Sequence, residues 1–342
     1  MAFAFQARLR PSTAAPFLLL SARPIVFHVR DYAFEPGAPI HRLLRALRDR
    51  RVDILYTTSW NHARRRRVER LVRLQRRIRR TGDHRITFLA ASPDELEHFR
   101  ASGLPTLHVN NAAFLDERIF RPLPDRQIRF DAVYDARFSR FKRHALAAEI
   151  PNLALITYSF HKKPEPDYEA EIAPIVARAH VFNGRPFSDA YPRLSSPEVN
   201  QALNQCAVGL ALSREEGSMN ASGQYLLAGL PVVSTPSEGG RDDFYHPDYV
   251  RIVAPHPRAV AEAVSELRDC KLTSHEIRAR TLERMREHRE RLFRCVDELY
   301  ASQGCHRSFA AEWPSVFVNT LTARESRPIG EILAAVQSAH AG

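Results

Sequence analysis

Apolar and polar positions along this chain fall into short blocks that switch between a two-residue and a helical period. Residues 25–29 (IVFHV), 52–56 (VDILY), 86–90 (ITFLA) and 106–109 (TLHV) are compact apolar runs of strand length. Runs this continuous belong to strands covered on both faces, as in a parallel sheet. Between them, 40–50, 64–80 and 93–101 carry helical spacing. Ser92-Pro93-Asp94-Glu95 is a helix start, with an N-cap residue, a proline at the first helical position and acids in the first turn.

A second alternation follows a linker candidate at Arg121-Pro122-Leu123-Pro124-Asp125. Strands are predicted at 130–134, 153–157, 181–182, 208–212, 231–234 and 250–253, and helices at 141–149, 168–178, 197–205, 221–228, 257–268 and 273–302. A last helix is predicted near 329–340. The pattern predicts an α/β fold of two doubly wound, Rossmann-like domains facing across a cleft, with the ligand between their strand ends.

A chain of 342 residues with 44% apolar and 26% charged positions fits two soluble globular domains. The four cysteines form no CxxC pair and read as buried thiols of a reducing compartment. No apolar run approaches the ~20 residues that cross a bilayer. Arg8 and Arg10 precede a short apolar stretch that Pro16 interrupts, a poor signal peptide. A cytoplasmic location, with peripheral attachment to a membrane as an option, is the expectation.

The net charge of +11 is uneven, because from Arg64 to Arg80 there are ten arginines and one acid, Glu69. Val68, Leu71, Val72 and Ile78 give this stretch one buried stripe. It reads either as a surface for anionic lipid headgroups or an anionic glycan, or as a solvated arginine-heavy helix. Nucleic acid is the remaining polyanion, but no interleaved aromatic platform or zinc pattern supports it.

The richest chemistry lies in REEGSMNASGQYLLAGLPVVSTPSEGGRDD, from Arg214 onward. Glu216-Gly217-Ser218-Met219-Asn220 leads into a helix whose N-terminal N–H groups and dipole suit a phosphate. Ser218 or Asn220 would otherwise be an ordinary N-cap and Glu216 a solvated loop acid. Gln224 lies in the first turns, and Gly239-Gly240 with Asp243 forms a second loop after the next strand. Arg137 and Lys142 follow the first strand of the second half, with Arg140 and Arg143 as alternates. A guanidinium fork beside an ammonium suits a diphosphate leaving group, although a basic turn is also commonly just solvated.

Taken together, Glu216-x7-Gln224, Gly229-Leu230-Pro231-Val232-Val233, Gly239-Gly240-Arg241-Asp242-Asp243 and Arg137-x4-Lys142 resemble a known pattern. From about Phe130 to Leu267 the chain resembles the donor domain of retaining GT-B glycosyltransferases of the group 1, or family 4, type. The resemblance implies that Glu216 contacts the donor sugar, Gln224 the ribose, and Arg137 and Lys142 the pyrophosphate. Gly217, Ser218, Met219, Asn220, Gly239, Gly240 and Asp243 would complete the donor pocket. The family usually carries a second acid where this chain has Gln224. In the first half, the loop holding Gly37 resembles the family's first glycine loop, and the N-terminal domain is short.

The implied organisation is a loose extension over 1–22, an acceptor domain over 23–124, a donor domain over 125–305 and a tail over 306–342 crossing back. His28, Trp60, Asn61 and His62 are acceptor-side candidates, each with a structural alternative. There is no Asp-x-Asp pair for a divalent ion, so no obligatory metal or other cofactor is expected beyond a nucleotide-diphosphate sugar as co-substrate.

The expected activity is transfer of a hexose-type sugar to an acceptor hydroxyl with retention. The acceptor class stays open among glycan, glycolipid and small molecule. The alternatives are a sugar-nucleotide epimerase or phosphorylase, or a catalytically weak sugar-nucleotide-binding subunit.

Overall fold

The computed structural model describes residues 17–158, 165–184, 193–316 and 327–341. Residues 1–16, on which part of the expected extension falls, and 317–326 of the tail lie outside the described residues. Contacts divide the chain into two compact units, one of Met1–Phe114 with Arg286–Gly342 and one of Leu115–Met285.

The first unit opens with β1 (Phe17–Ala22), β2 (Ile25–Arg30), α1 (Pro39–Ala46), β3 (Val52–Thr57) and α2 (Arg65–Arg79). It continues with β4 (His84–Ala90), α3 (Pro93–Ala101) and β5 (Thr106–His108). The strands lie in the order β1-β2-β3-β4-β5, β1 antiparallel to β2 and the rest parallel. Residues 17–22 thus form an edge strand rather than part of a loose extension. The cause is apolar: Phe17 and Leu20 are buried, and the Phe17 ring meets Phe27 edge-on at 5.6 Å. In α2, Val68, Leu71, Leu74 and Ile78 are buried at helical spacing. Ser92 caps α3 by accepting the Glu95 N–H at 3.2 Å.

The second unit contains β6 (Phe130–Asp135), β7 (Leu153–Ile156), α4 (Pro166–Arg178), β8 (His180–Val181), α5 (Ser196–Leu203) and β9 (Cys206–Ala211). It is completed by α6 (Asn220–Leu227), β10 (Val232–Ser234), β11 (Val250–Ile252) and α7 (Pro257–Arg268). All neighbouring strands are parallel, in the order β11-β10-β9-β6-β7-β8. The chain winds outward from β6 to β8, then returns to β9 beside β6 and winds the other way. This reversal is what makes a doubly wound sheet, and it belongs to the second unit; the first sheet runs sequentially.

Two one-turn 3₁₀ segments, Arg140–Lys142 and His144–Ala147, replace the helix predicted at 141–149. The break is Arg143, which sits in the left-handed region at φ 54°. The unit boundary falls at Phe114/Leu115 rather than 124/125. The linker candidate is held by α5: Arg121 donates its N–H to Asn200 Oδ1 (3.1 Å) and Leu123 to Asn204 Oδ1 (2.8 Å).

Helix α8 (Ser274–Ala301) carries the chain from the second unit into the first, dividing at Met285/Arg286 rather than 305/306. α9 (Phe309–Val316) and α10 (Ile329–Ala341) follow. Ile332 and Val336 of α10 are fully buried in the core that also holds Ile40, Leu43 and Leu44 of α1.

Candidate functional site

A doubly wound sheet opens a crevice where strand order reverses, at the carboxyl ends of the two central strands. Here those strands are β6 and β9, ending at Asp135 and Ala211. The loops beyond them are joined by backbone hydrogen bonds. Arg214 donates its N–H to the Phe141 carbonyl (3.2 Å), and Glu238 donates to Arg214 (3.1 Å). Glu216 donates to Glu238 (3.0 Å), and Gly240 to Gly217 (3.1 Å). The segments after β6, β9 and β10 therefore form one continuous shelf, which brings the two glycine-bearing loops and the basic turn together.

Two arginines support the shelf from below. Arg241, 1% exposed, donates to the carbonyls of Ala211 (2.9 Å), Ser213 (2.7 Å) and Thr235 (2.5 Å), and to Asp242 Oδ1 (2.7 Å). A buried guanidinium is tolerated because its donors are matched in this way. Arg143 donates to the Leu212 carbonyl (2.6 Å) and Thr235 Oγ1 (2.7 Å). Arg143 is thus a scaffold residue rather than an alternate phosphate ligand. Arg140 is drawn to the surface, pairing with Glu171 at 2.8 Å.

On the shelf, Lys142 Nζ and a Glu216 carboxylate oxygen form an ion pair. The Arg137 guanidinium lies 5.0 Å from the centroid of the Phe141 ring, and the Lys142 ammonium 5.2 Å from the same ring. One aromatic ring thereby gathers both cations by cation–π attraction. Asp135, at the tip of β6, completes the cluster. Burial pushes its carboxyl up to about 6, against the opposing pull of the Lys142 charge. Burial raises the Tyr158 phenol, with Asp135 and Glu216 adding to the rise and Arg137 and Arg193 opposing it.

Sequence reasoning passed over Asp135 and Phe141. The carboxyl-end position of Asp135 on a central parallel strand was the available signal.

Helix α6 starts above this cluster. Its N-cap is Met219, at φ 26°, whose own side chain makes no capping hydrogen bond, so the N-cap position falls on neither Ser218 nor Asn220. Ser222 turns inward instead and donates to the Met219 carbonyl (2.9 Å). The helix seats tightly because β9 has glycine beneath it: a Cβ on Gly209 would lie 2.4 Å from the Tyr225 ring. The Tyr225 hydroxyl in turn accepts the Asp135 N–H at 2.6 Å. At the far end, Gly229 at φ 77° closes a Schellman motif, with Leu230 donating to Tyr225 (2.9 Å) and Gly229 to Leu226 (3.1 Å). Gln224 is half-buried one turn into α6, and its amide has no hydrogen-bond partner among the described residues. Asp243 follows the Gly239-Gly240 loop and accepts from Arg284 through its carbonyl at 2.7 Å.

The acceptor-side candidates lie in the first unit. His28 is 1% exposed in β2, bonded to Thr57 Oγ1 at 2.9 Å, and burial holds its imidazole far below the ordinary range. It is a neutral core residue and offers no face to an acceptor. Asn61 is buried and turns its side chain onto the Ala63 N–H (3.0 Å). His62 is half-buried, its Nδ1 2.7 Å from the Trp60 carbonyl and its N–H donated to Glu95 Oε1 at 2.6 Å. Glu95, itself buried, also accepts from Ala91 (2.7 Å) and so fixes the loop after β3. Gly37 takes φ 80°, in the turn where Ala38 donates to the Glu35 carbonyl (3.1 Å).

No family model and no curated protein matches this sequence. Solved structures do match in fold. The chain is similar to sucrose-phosphate synthase of Thermosynechococcus elongatus (17% identity, 79% of this chain and 76% of that one, TM-score 0.55). It is similar to Anabaena HepE in complex with UDP-glucose (14% identity, 72% of each chain, TM-score 0.54). It is also similar to TarM (11% identity, 72% of this chain and 50% of that one, TM-score 0.52). With two parallel-sheet α/β units matching these structures, the chain has the GT-B fold of the glycosyltransferases.

Proposed function

We propose that the protein is a nucleotide-sugar-dependent glycosyltransferase that moves a hexose-type residue to an acceptor hydroxyl with retention. One observation carries the reading: Lys142 and Glu216 meet at the switch point of the donor-type sheet, with Arg137 beside them. Arg137 and Lys142 supply positive charge where a diphosphate leaving group gains negative charge as its bond to the sugar breaks. The start of α6, where the N-cap Met219 supplies no side-chain cap, adds N–H groups and the positive end of its dipole. Lys142 exchanges its carboxylate partner for a phosphate oxygen when the donor enters. That exchange frees Glu216 to accept hydrogen bonds from the sugar hydroxyls. Gln224 faces the ribose, and Gly239, Gly240 and Asp243 form the opposite wall. UDP-sugars are the first donors to try, since HepE has been solved with UDP-glucose.

The test is turnover of UDP-, GDP-, ADP- and dTDP-sugars, preceded by a thermal-shift screen of the same compounds. A ligand at a hundred times its Kd stabilises by ~2.7 kcal/mol, a readily visible shift. Glu216→Ala and Lys142→Ala should each abolish turnover in a protein that remains folded. Full activity in both variants overturns the site.

A second reading, a sugar-nucleotide-binding subunit with weak catalysis, draws on Gln224, an amide where the resembled pattern has an acid. Donor binding without transfer or hydrolysis, measured over a panel of acceptors, would select it.

A further inference from the structure

Helix α2 carries a stripe of arginines that the donor site does not use. Arg66, Arg70, Arg73, Arg77 and Arg80 recur at alternating spacings of four and three, which places them on one side of the helix. At 1.5 Å per residue the stripe is ~21 Å long. Like charges at these spacings repel and weaken the helix. The single acid of the helix, Glu69, is taken by Arg65 at 3.0 Å. The repulsion along the stripe is therefore uncompensated within α2, and an anion laid along it would relieve it.

The stripe adjoins a pocket. Beyond the carboxyl ends of β2 and β3 lies a cavity of about 570 Å³, lined by Asp31, Glu35, Ser59, His62 and, from the stripe, Arg70 and Arg77. This volume suits one or two sugar units. Its floor is apolar, with Phe34 and Tyr56 stacked at 5.9 Å. Ser59 is fixed by Asp31, which accepts its N–H (3.0 Å) and its hydroxyl (2.5 Å). Carboxylates, a hydroxyl and an imidazole around an aromatic floor suit a hydroxylated ring. Two guanidinium groups at the rim suit an anion attached to it.

We propose that this pocket takes the hydroxyl-bearing end of a linear polyanionic glycan, and that the arginine stripe holds the anionic groups of the following units. That this glycan is the sugar acceptor rests on the transferase reading above; its binding does not. A membrane surface fits less well. A helix that lies in a lipid interface buries its apolar face in it, whereas Val68, Leu71, Leu74 and Ile78 of α2 are buried in the protein core.

The test uses the full chain and three probes at low ionic strength: a fluorescent sulfated dextran oligosaccharide of about five units, its neutral counterpart, and phosphatidylglycerol vesicles. The double variant R70Q/R77Q is compared with R76Q/R79Q, which removes the same charge from another side of the same helix. The sulfated probe should bind the native protein, the neutral one should not, and R70Q/R77Q should weaken binding about tenfold or more while R76Q/R79Q changes it about twofold at most. Equal losses in the two variants overturn the proposal, because they indicate diffuse attraction. Binding to vesicles without binding to the sulfated probe overturns it too, as does no binding at all. The assay contains no sugar nucleotide, so its outcome is separate from that of the donor and turnover measurements.

Discussion

Lys142 and Glu216, 74 positions apart in sequence, meet as an ion pair with 12% and 8% of their side chains exposed. Neither charge is well solvated, so each depends on the other until a ligand offers a replacement. The pair therefore bears on the stability of the fold as well as on the proposed donor site.

Breaking it from one side leaves a nearly buried charge alone. Lys142→Met or Glu216→Gln should each destabilise by about 2 kcal/mol, below the 3–5 kcal/mol of fully buried pairs. The double variant should lose less than the sum of the singles. Urea denaturation of the four proteins measures this, and strict additivity would show that the pair is not coupled.

Gln224 offers one amide oxygen where a carboxylate would accept two hydrogen bonds from a ribose diol. Gln224→Glu should tighten nucleotide-sugar binding about tenfold, or ~1–2 kcal/mol. Calorimetry with the best donor from the thermal-shift screen is the measurement. An unchanged affinity means that this residue does not meet the ribose.

Gly209 exists for Tyr225. A methyl group there would sit 2.4 Å from the ring and 2.8 Å from the Tyr225 Cβ, which cannot swing aside without moving α6. Gly209→Ala should cost about 2–3 kcal/mol and reduce donor binding through displacement of the helix start. Tyr225→Phe, which removes only the acceptor of the Asp135 N–H, should cost about 1 kcal/mol. Thermal melts rank the two, and a Gly209→Ala protein as stable as the parent contradicts this packing.

Asp135 predicts a pH effect with a definite sign. Its folded-state pKa of about 6 lies above the ordinary aspartate value of 3.8, so the folded protein holds this proton more tightly than the unfolded chain does. The associated stability is fully present below the unfolded value and is lost as pH rises through about 6. Asp135→Asn does not titrate, so its stability relative to the parent should rise by ~1–3 kcal/mol between pH 4 and pH 7, the lower figure applying if water reaches the carboxyl. Denaturation curves at both ends of that window decide it, and a constant difference would refute the shifted carboxyl.

Much of the second unit was legible in the residues. Its strands are apolar runs, and Gly229-Leu230-Pro231 marks a helix end followed by a strand. The meeting of Arg137, Lys142 and Glu216 was legible only through the resemblance of the motifs, because periodicity says nothing about strand order. The turn at Arg143 escaped notice because it has neither glycine nor proline. Its left-handed backbone is held by bonds to Leu212 and Thr235, which are remote in sequence. The strand over 17–22 was missed for a related reason: six residues near a chain end gain strand character only from the partner they pair with. His28 looked available because a histidine near a strand end is ambiguous until its burial is known.

The two arginines beneath the shelf have an electrostatic consequence. Parallel strands end in carbonyl oxygens, whose partial negative charge would face any phosphate bound above them. At β9 and β10 the carbonyls of Ala211, Leu212, Ser213 and Thr235 are all spoken for by Arg143 and Arg241. The sheet edge thereby loses its negative rim, and with Asp242 paired to Arg241 the two guanidinium groups leave one positive charge in excess beneath it. For the proposed donor, this removes a repulsion that its phosphates would otherwise meet at the strand ends.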